Sequence, residues 1–313
     1  MYSPFPYDRL PSKNEFFGRQ EELENLSKIV NYSNNALIYS KRRMGKSSLI
    51  KALYEKYDKE YICLYTDIFD ITSKEDFISS LLKSLANYNK KFDLKNAIKN
   101  LTSLFKRVRF EPTIDSNTLE YSIKPNITSL TFEDMIEDFF NSLEQLSKTS
   151  KIIIAIDECQ QIANITDVKI DAILRKYIQN RTNISYIFLG SKRHILTSLF
   201  EYKAPLYEMA THIELKALRL EDIFDYAKKH IDISFEMCEY LYILSDKETK
   251  LIQQILHLLY ISKTTISSKE QIDLAFEEVI NSKDSSYRLL FDTLGNNQKI
   301  ALKIGRASCR ERV

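Results

Sequence analysis

Five short apolar runs, separated by longer segments of helical periodicity, dominate the first two thirds of the chain. The runs occupy residues 36–39, 61–69, 152–156, 185–189 and 212–218. They are rich in β-branched and aromatic residues, which is typical of buried strands. In the segments between them, apolar residues recur every three or four positions, as on the buried face of a helix. The pattern predicts an α/β fold whose strands lie in a parallel sheet.

Two parts of the chain depart from this alternation. Between residues 110 and 125, Leu119, Tyr121 and Ile123 alternate with polar residues, which predicts an inserted hairpin. After residue 218 the periodicity is helical, and it predicts helices at 222–229, 235–244, 251–260 and 272–280. Ser267 and Glu270 match the capping-box pattern before the last of these helices. A helical subdomain at residues 219–285 is therefore expected to follow the sheet.

The two ends of the chain fit neither pattern. Residues 1–14 contain three of the six prolines and no periodicity, so we expect an arm laid over a domain. Residues 304–313 resemble the translation of a sequencing adapter, and we interpret them as a non-native tail; a natural basic tail is the alternative. This tail has three arginines and one glutamate, a net charge of +2 that equals the net charge of the whole chain. The rest of the protein is formally neutral, so its bulk charge gives no reason to expect nucleic-acid binding.

Composition limits the protein to a few broad classes. With 313 residues, 44% of them hydrophobic, the chain has room for one large or two ordinary domains with a packed core. The four cysteines match no metal-site or disulfide spacing, and the four histidines show no ligand spacing. No apolar run approaches the roughly 20 residues that a membrane helix needs. We therefore expect a cytoplasmic protein without a membrane span.

The segment at residues 35–50 carries the strongest chemical signal. An apolar run ends in a cationic loop, and Gly-Lys-Ser-Ser then opens an amphipathic helix. This is the phosphate-loop pattern GxxxxGK[ST], with serine in place of the first glycine. Backbone N–H groups at a helix N-terminus bind phosphate, Lys46 would reach the outer phosphates, and Ser47 would ligate Mg²⁺. The residues expected to contact the nucleotide are Arg42, Arg43, Met44, Gly45, Lys46, Ser47 and Ser48. A solvated basic turn is the alternative interpretation.

A second signal lies about a hundred residues later, in the sequence KIIIAIDE at residues 151–158. Five consecutive apolar residues end in two carboxylates, as a buried parallel strand does at the edge where ligands bind. We expect Asp157 to hold Mg²⁺ and Glu158 to orient or deprotonate an attacking water molecule. The alternative is a buried strand with a polar end and no catalytic role.

The apolar run at residues 185–189 also ends in polar residues, of which Ser191 is the candidate of interest. A polar side chain at this edge would contact the γ-phosphate or the attacking water, so Ser191 is a candidate catalytic sensor. An N-cap at the start of the next helix is an equally good interpretation of the same residue.

Five motifs occur in a recognisable order along the chain. They are FFGRQEEL, YSKRRMGKSSLI, IIIAIDECQQI, FLGSKR and APLYEMATHIELKAL. Together they resemble the archaeal-type ATPase family of the AAA+ and related P-loop ATPases. The resemblance implies a P-loop NTPase domain at residues 15–218, with a parallel sheet of strand order 5-1-4-3-2, followed by an α-helical lid. It also implies a C-terminal winged-helix domain, of which residues 286–303 would be the start.

Three positions depart from the family pattern. Ser40 replaces the first loop glycine, where a left-handed or strained backbone would disfavour a residue with a Cβ atom. Met209 stands where the family carries an arginine, and residues 247–249 replace the lid's Gly-x-Pro. An arginine finger contributes roughly 10³ to 10⁵ in rate, so its loss should slow hydrolysis far more than it weakens binding. Lys192 or Arg193 would be the substitute cation.

The resemblance implies ATP and Mg²⁺ as cofactors. The leading hypothesis is a slow Mg²⁺-dependent ATPase that acts as a conformational switch for a C-terminal effector domain, through which DNA or a protein would be bound. The alternative is a nucleotide-loaded scaffold that does not hydrolyse ATP. A small-molecule kinase ranks below both, because it has no use for the pair Asp157 and Glu158. Self-association into a homo-oligomer is a further expectation.

Overall fold

The computed structural model describes residues 3–89, 94–114, 121–126, 130–179, 182–191, 199–263 and 265–301. The chain divides into two compact units, one formed by Arg9–Leu218 and the other by Met1–Asp8 together with Arg219–Val313. Within the described ranges, no helix is both long and apolar enough to cross a membrane.

The larger unit alternates strands with helices, as the apolar pattern predicts. Its strands are β1 (Ala36–Tyr39), β2 (Ile62–Asp67), β3 (Arg109–Ile114), β4 (Tyr121–Asn126), β5 (Ile152–Asp157), β6 (Ile184–Gly190) and β7 (Thr211–Glu214). Its described helices are α1 (Gln20–Asn31), α2 (Lys46–Tyr57), α3 (Lys74–Asn89), α4 (Leu94–Leu104), α5 (Phe132–Ser147) and α6 (Ile170–Ile178). A short 3-10 helix, Cys159–Asn164, follows β5 directly.

Five strands form one parallel sheet in the order β2-β5-β6-β1-β7. Numbered along the chain and read from the β7 edge, they lie in the order 5-1-4-3-2, so the order that the resemblance implies is confirmed. Every residue of β5 and β6, which lie inside the sheet, is buried. Because both faces of these strands are covered, their sequences are unbroken apolar runs.

Alternate side chains of β5 enter two hydrophobic clusters, one on each face of the sheet. Ile152, Ile154 and Ile156 pack in a cluster with residues of α3 and α5. Ile153 and Ala155 pack in a second cluster with residues of α1 and α2. Because the strands are parallel, the polar residues that follow β1, β5 and β6 come together at the carboxyl edge of the sheet.

The predicted hairpin is confirmed as an antiparallel pair of β3 and β4, although Leu119 lies outside the described residues. Phe110 and Ile123 point from its two strands into the cluster that contains α3 and α5. Asp138 of α5 holds the chain just before β3, because its Oδ2 accepts hydrogen bonds from the backbone N–H groups of Arg107 (2.5 Å) and Val108 (3.0 Å). A buried carboxylate therefore fixes the start of the hairpin.

The smaller unit is helical, as the periodicity after residue 218 predicts. Its helices are α7 (Leu220–Ala227), α8 (Phe235–Leu244), α9 (Thr249–Ser262), α10 (Lys269–Asn281) and α11 (Asp284–Thr293). Phe5, from the start of the chain, is fully buried in this unit and lies edge-on to Tyr226, with the ring centroids 5.8 Å apart. No residue of α11 is buried. The winged-helix assignment of residues 286–303 stays a prediction.

The capping box of α10 lies one residue later than the sequence predicts. Ser268 is the N-cap, and Gln271 reaches back to it. The Oε1 atom of Gln271 accepts hydrogen bonds from the backbone N–H groups of Ser267 (2.9 Å) and Ser268 (3.2 Å). Ile266 is buried just before this turn. The predicted box of Ser267 and Glu270 is therefore wrong.

Candidate functional site

The loop between β1 and α2, for which the sequence predicts phosphate binding, has a left-handed backbone near its C-terminal end. Gly45, at the N-cap of α2, has a φ of +91°, which residues with a side chain rarely adopt. Arg43 also lies in the left-handed region, with a φ of 66°. Ser40 is not among the residues with positive φ, so the expectation of strain at this position is wrong. The residues with positive φ lie near the helix, and the serine at the start of the loop needs no left-handed backbone.

Lys46 begins α2 and folds back into the loop. Its ammonium group donates hydrogen bonds to Ser40 Oγ at 3.3 Å and to the backbone oxygen of Lys41 at 3.5 Å. Only 7% of Lys46 is exposed. Burial lowers the pKa of Lys46, while the negative charges of Asp157 and Glu158 act in the opposite direction. The serine that replaces the first glycine is thus a hydrogen-bond partner of Lys46.

The other loop residues predicted to contact a nucleotide occupy different environments. The side chains of Arg42 and Arg43 are exposed, and the Arg42 guanidinium lies over the ring of Phe69, 5.5 Å from its centroid. Met44 is buried, so only its backbone is available to a phosphate. Ser48 is half-buried in the first turn of α2. These residues thus lie in the loop and in the first turn of the helix that follows it.

Ser47 and Asp157, the two predicted metal ligands, are brought into direct contact. The Ser47 hydroxyl donates to Oδ2 of Asp157 at 2.9 Å, and the Tyr65 hydroxyl donates to the same oxygen at 2.5 Å. The other carboxylate oxygen, Oδ1, accepts the backbone N–H of Glu158 at 2.8 Å. Burial and the negative charge of Asp157 raise the pKa of Tyr65. Hydroxyl and carboxylate oxygens are the donors that Mg²⁺ prefers, so this set of residues fits the ion.

Glu158 and Ser191, the predicted catalytic residues, also meet. The Ser191 hydroxyl donates to Oε2 of Glu158 at 3.2 Å. The same oxygen accepts a short hydrogen bond from Nε2 of Gln160. Glu158 lies in the left-handed region, with a φ of 55°, at the N-cap of the 3-10 helix. The alternative role of Ser191 as a helix cap concerns residues 192–198, which lie outside the described ranges. Lys192 and Arg193, the predicted substitute cations, belong to the same segment.

Met209 occupies the position at which the family carries an arginine. It is half-buried and packs against the hydrophobic cluster that contains α3 and α5. Its backbone oxygen accepts a hydrogen bond from Nδ2 of Asn35 at 2.9 Å. The side chain therefore serves packing within its own unit.

Arg19, Tyr65 and Gln160 are site residues that the sequence does not predict, although Arg19 and Gln160 stand in two of the five family motifs. Arg19 is 4% exposed and donates from NH2 to the backbone oxygens of Met44 (3.2 Å) and Lys216 (2.7 Å). It thereby ties the phosphate loop to the segment after β7. The signal for Arg19 was the Gly-Arg pair before α1, and the signal for Gln160 was its place two residues after Glu158. The only signal for Tyr65 was that a polar residue stands near a predicted strand end.

The fold is shared with solved ATPase structures. The chain resembles the Walker-type ATPase PABY2304 of Pyrococcus abyssi with a TM-score of 0.59 and 17% identity, covering 91% of this chain and 80% of that one. It resembles the ORC2 protein of Aeropyrum pernix, solved as ADPNP and ADP complexes, with a TM-score of 0.59 and 12% identity over 88% of this chain and 70% of that one. It resembles the ORC1 protein of Aeropyrum pernix, solved in complex with DNA, with a TM-score of 0.57 and 12% identity over 96% of this chain and 74% of that one.

No curated protein sequence matches the chain closely enough to be a relative. The model of one protein family, however, matches residues 16–255, which include the phosphate loop, both carboxylates and Ser191. These residues form most of the chain. The protein therefore belongs to the family of ATPase domains found predominantly in Archaea.

Proposed function

We propose that this chain binds ATP together with Mg²⁺ and hydrolyses it slowly. The observation that carries the proposal is that Lys46 and Ser47, at the start of α2, lie beside Asp157 and Glu158, at the end of β5: Ser47 Oγ is 2.9 Å from Asp157 Oδ2. A cation for phosphate, two oxygen ligands for a metal ion and a carboxylate for water are what ATP hydrolysis requires.

Each of these groups would have a different role in binding or hydrolysing ATP. The backbone N–H groups at the start of α2 and the Lys46 ammonium would bind the outer phosphates. Ser47 and Asp157 would hold Mg²⁺, which supplies positive charge to the phosphate oxygens when it is bound. Glu158 would accept a proton from the attacking water. Ser191, which donates to Glu158, would orient that carboxylate or contact the γ-phosphate.

We further propose that the hydrolysis serves a switch. Met209 is packed against the core and supplies no cation, and slow turnover would make the ATP-bound state long-lived. The state of the nucleotide would then control a C-terminal effector domain that binds DNA or a protein. Duplex DNA is the first partner to test, because the similar ORC1 protein was solved in complex with DNA. We also propose that the chain self-associates into a homo-oligomer.

The test combines nucleotide binding with turnover. We expect the protein to bind a fluorescent ATP analogue saturably and to release phosphate slowly when Mg²⁺ is present. Glu158→Gln should bind the analogue equally well and keep only a small residual turnover, because the proton acceptor is removed. Glu60→Gln, at an exposed position, is the control. Saturable binding without turnover in the unaltered protein would favour the scaffold, and equal rates for wild type and Glu158→Gln would contradict the role of Glu158.

A further inference from the structure

Gln160 contacts the carboxylate of Glu158 from within the protein interior. It lies in the 3-10 helix after β5 and is 2% exposed. Its Nε2 atom makes the short hydrogen bond to Oε2 of Glu158 and lies 3.5 Å from Ser191 Oγ. Because Ser191 donates to the same Oε2 at 3.2 Å, the three side chains form a closed triangle.

The two oxygens of Glu158 are therefore unequal. Oε2 accepts hydrogen bonds from both Gln160 and Ser191, whereas Oε1 has no donor among the described residues. The backbone of Glu158 is held as well: its oxygen accepts the N–H of Gln161 at 2.9 Å, and its own N–H is bound by Asp157. This leaves Oε1 as the oxygen that is available to a water molecule.

The Gln160 amide directs its nitrogen, and not its carbonyl oxygen, at the Glu158 carboxylate. Oε1 of Gln160 is buried and has no hydrogen-bond partner among the described residues. A buried carbonyl without a hydrogen-bond partner destabilises the folded state. Exchanging the two amide atoms would not relieve this cost, because the carbonyl oxygen would then face the Glu158 carboxylate. The amide N–H groups are thus directed at Glu158 at the expense of the carbonyl.

We propose that Gln160 is the positioning residue of Glu158: its amide holds Oε2, so that Oε1 is the oxygen presented to the attacking water. This inference rests on the proposed function. Gln160 does not touch the reacting atoms and acts only through Glu158. Without its amide, the Glu158 side chain has Ser191 as its sole described donor and can rotate away from the water.

The first test is Gln160→Leu, which keeps a similar volume and removes the donor. We expect kcat to fall on the order of 10- to 100-fold, a part of the 10² to 10⁴ that a positioned general base contributes, while the KM for ATP stays within about twofold. The matched control is Gln161→Leu, because the side chain of Gln161, the next residue, contacts Asn164 instead of the Glu158 carboxylate. Its kcat should equal that of wild type. A Gln160→Leu enzyme as fast as wild type would overturn the inference.

A double-variant comparison distinguishes positioning from general damage. If Gln160 acts through Glu158, Gln160→Leu should cause no further loss of rate when Glu158→Gln is already present. An equal loss in both backgrounds would overturn the inference and leave the proposed function intact. If Glu158→Gln itself hydrolyses ATP as fast as wild type, the proposed function fails and the inference fails with it.

A measurement without turnover completes the test. The side-chain amide signals of Gln160 in a ¹⁵N NMR spectrum are identified by their loss in Gln160→Leu. Because the amide donates to a carboxylate, these signals should shift in Glu158→Gln, while those of Gln161 should stay unchanged. Unshifted Gln160 signals would contradict the hydrogen bond on which the inference depends.

Discussion

The hydroxyl of Tyr65 donates a hydrogen bond of 2.5 Å to Oδ2 of Asp157, the oxygen that also accepts the Ser47 hydroxyl at 2.9 Å. Tyr65 lies on β2, the strand next to β5 in the sheet. A donor of this kind orients a metal-binding carboxylate from outside the coordination sphere. The hydroxyl groups of Tyr65 and Ser47 therefore hold the carboxylate of Asp157, which we propose as a metal ligand.

We expect Tyr65→Phe to weaken Mg²⁺ binding. Loss of an outer hydrogen-bond partner of a metal ligand typically costs about 10- to 100-fold in affinity, and we expect the lower end here because Ser47 remains. The measurement is an EPR titration with Mn²⁺ in the presence of a non-hydrolysable ATP analogue. Tyr61→Phe is the control, because its hydroxyl bonds to Asn31, 3.2 Å away at the surface. Unchanged or tighter Mn²⁺ binding in Tyr65→Phe would contradict this role.

Lys46→Ala should reduce the affinity for ATP. Charge-assisted hydrogen bonds contribute about 1.5–3 kcal/mol each, so a loss on the order of 10- to 100-fold is expected when the ammonium is removed. A titration with a fluorescent ATP analogue measures this loss. Lys51→Ala changes the same charge on the same helix, where the ammonium donates to the backbone oxygen of Pro11. Equal affinities for the two variants would contradict phosphate binding by Lys46.

Much of the fold follows from local pattern. β5 and β6 were predictable because strands buried on both faces have unbroken apolar sequences, and the loop before α2 was predictable because Gly45 and Lys46 belong to a contiguous motif. The strand order required the resemblance, since periodicity does not say which strands are neighbours. The box at α10 was misplaced because Ser267 and Ser268 offer two equivalent starts one residue apart.

Arg19 and Tyr65 could not be predicted as site residues for the same physical reason. Arg19 meets the backbone of Lys216, 197 positions later in the chain, and Tyr65 meets Asp157, 92 positions later. Contacts of this length depend on how strands pair, and no local spacing encodes them. The register that aligns Asp67 with Asp157 places Tyr65 on the same side of the sheet edge. A polar residue near a predicted strand end was the only signal for Tyr65.

The ion pair of Arg9 and Glu15 should make stability depend on pH in the acidic range. The bidentate Arg9 guanidinium, together with the backbone N–H of Ser12, lowers the pKa of Glu15 from 4.5 to about 2. Because the folded state then holds its proton less tightly than the unfolded state, the stabilisation is complete above pH 4.5 and is lost as the pH falls toward about 2.

Glu15→Gln is therefore expected to lower the free energy of unfolding at pH 7 by less than about 1 kcal/mol, since Arg9 is partly exposed to solvent. The difference from wild type should be smaller at pH 3. Urea unfolding at both pH values measures it. Glu24→Gln makes the same charge change at an exposed position of α1. A difference that is as large at pH 3 as at pH 7 would show that the ion pair is not its source.

Asp138→Ala should destabilise the larger unit strongly. Asp138 is 2% exposed, and its removal leaves the backbone N–H groups of Arg107 and Val108 without their acceptor. At about 1–3 kcal/mol for each buried unsatisfied group, a loss of about 2–5 kcal/mol is expected in denaturant unfolding. Glu137→Ala removes an exposed partner of the same arginine and should cost at most about 1 kcal/mol. Similar losses for the two variants would contradict the role of the buried carboxylate.

Arg19→Lys should loosen the phosphate loop although the charge is kept. The guanidinium of Arg19 bonds to two backbone oxygens, those of Met44 and Lys216, and to the carboxylate of Glu22 at 2.7 Å. A lysine ammonium is a single point and cannot reproduce this planar arrangement. Since Met44 directly precedes Gly45, loss of its partner should let the loop move, and the affinity for a fluorescent ATP analogue should fall about 3- to 10-fold if one net hydrogen bond of roughly 0.5–1.5 kcal/mol is lost.

The matched control for Arg19 lies in the smaller unit. Arg219 occupies the same position before α7 as Arg19 does before α1, and it pairs with Asp222 at the same spacing of three residues. Its side chain is 65% exposed, whereas that of Arg19 is 5% exposed. Arg219→Lys should therefore leave both stability and nucleotide affinity unchanged. If the two substitutions weaken binding equally, the contact of Arg19 with the loop carries no special role; if only Arg19→Lys does, the loop depends on an arginine anchored before the first helix.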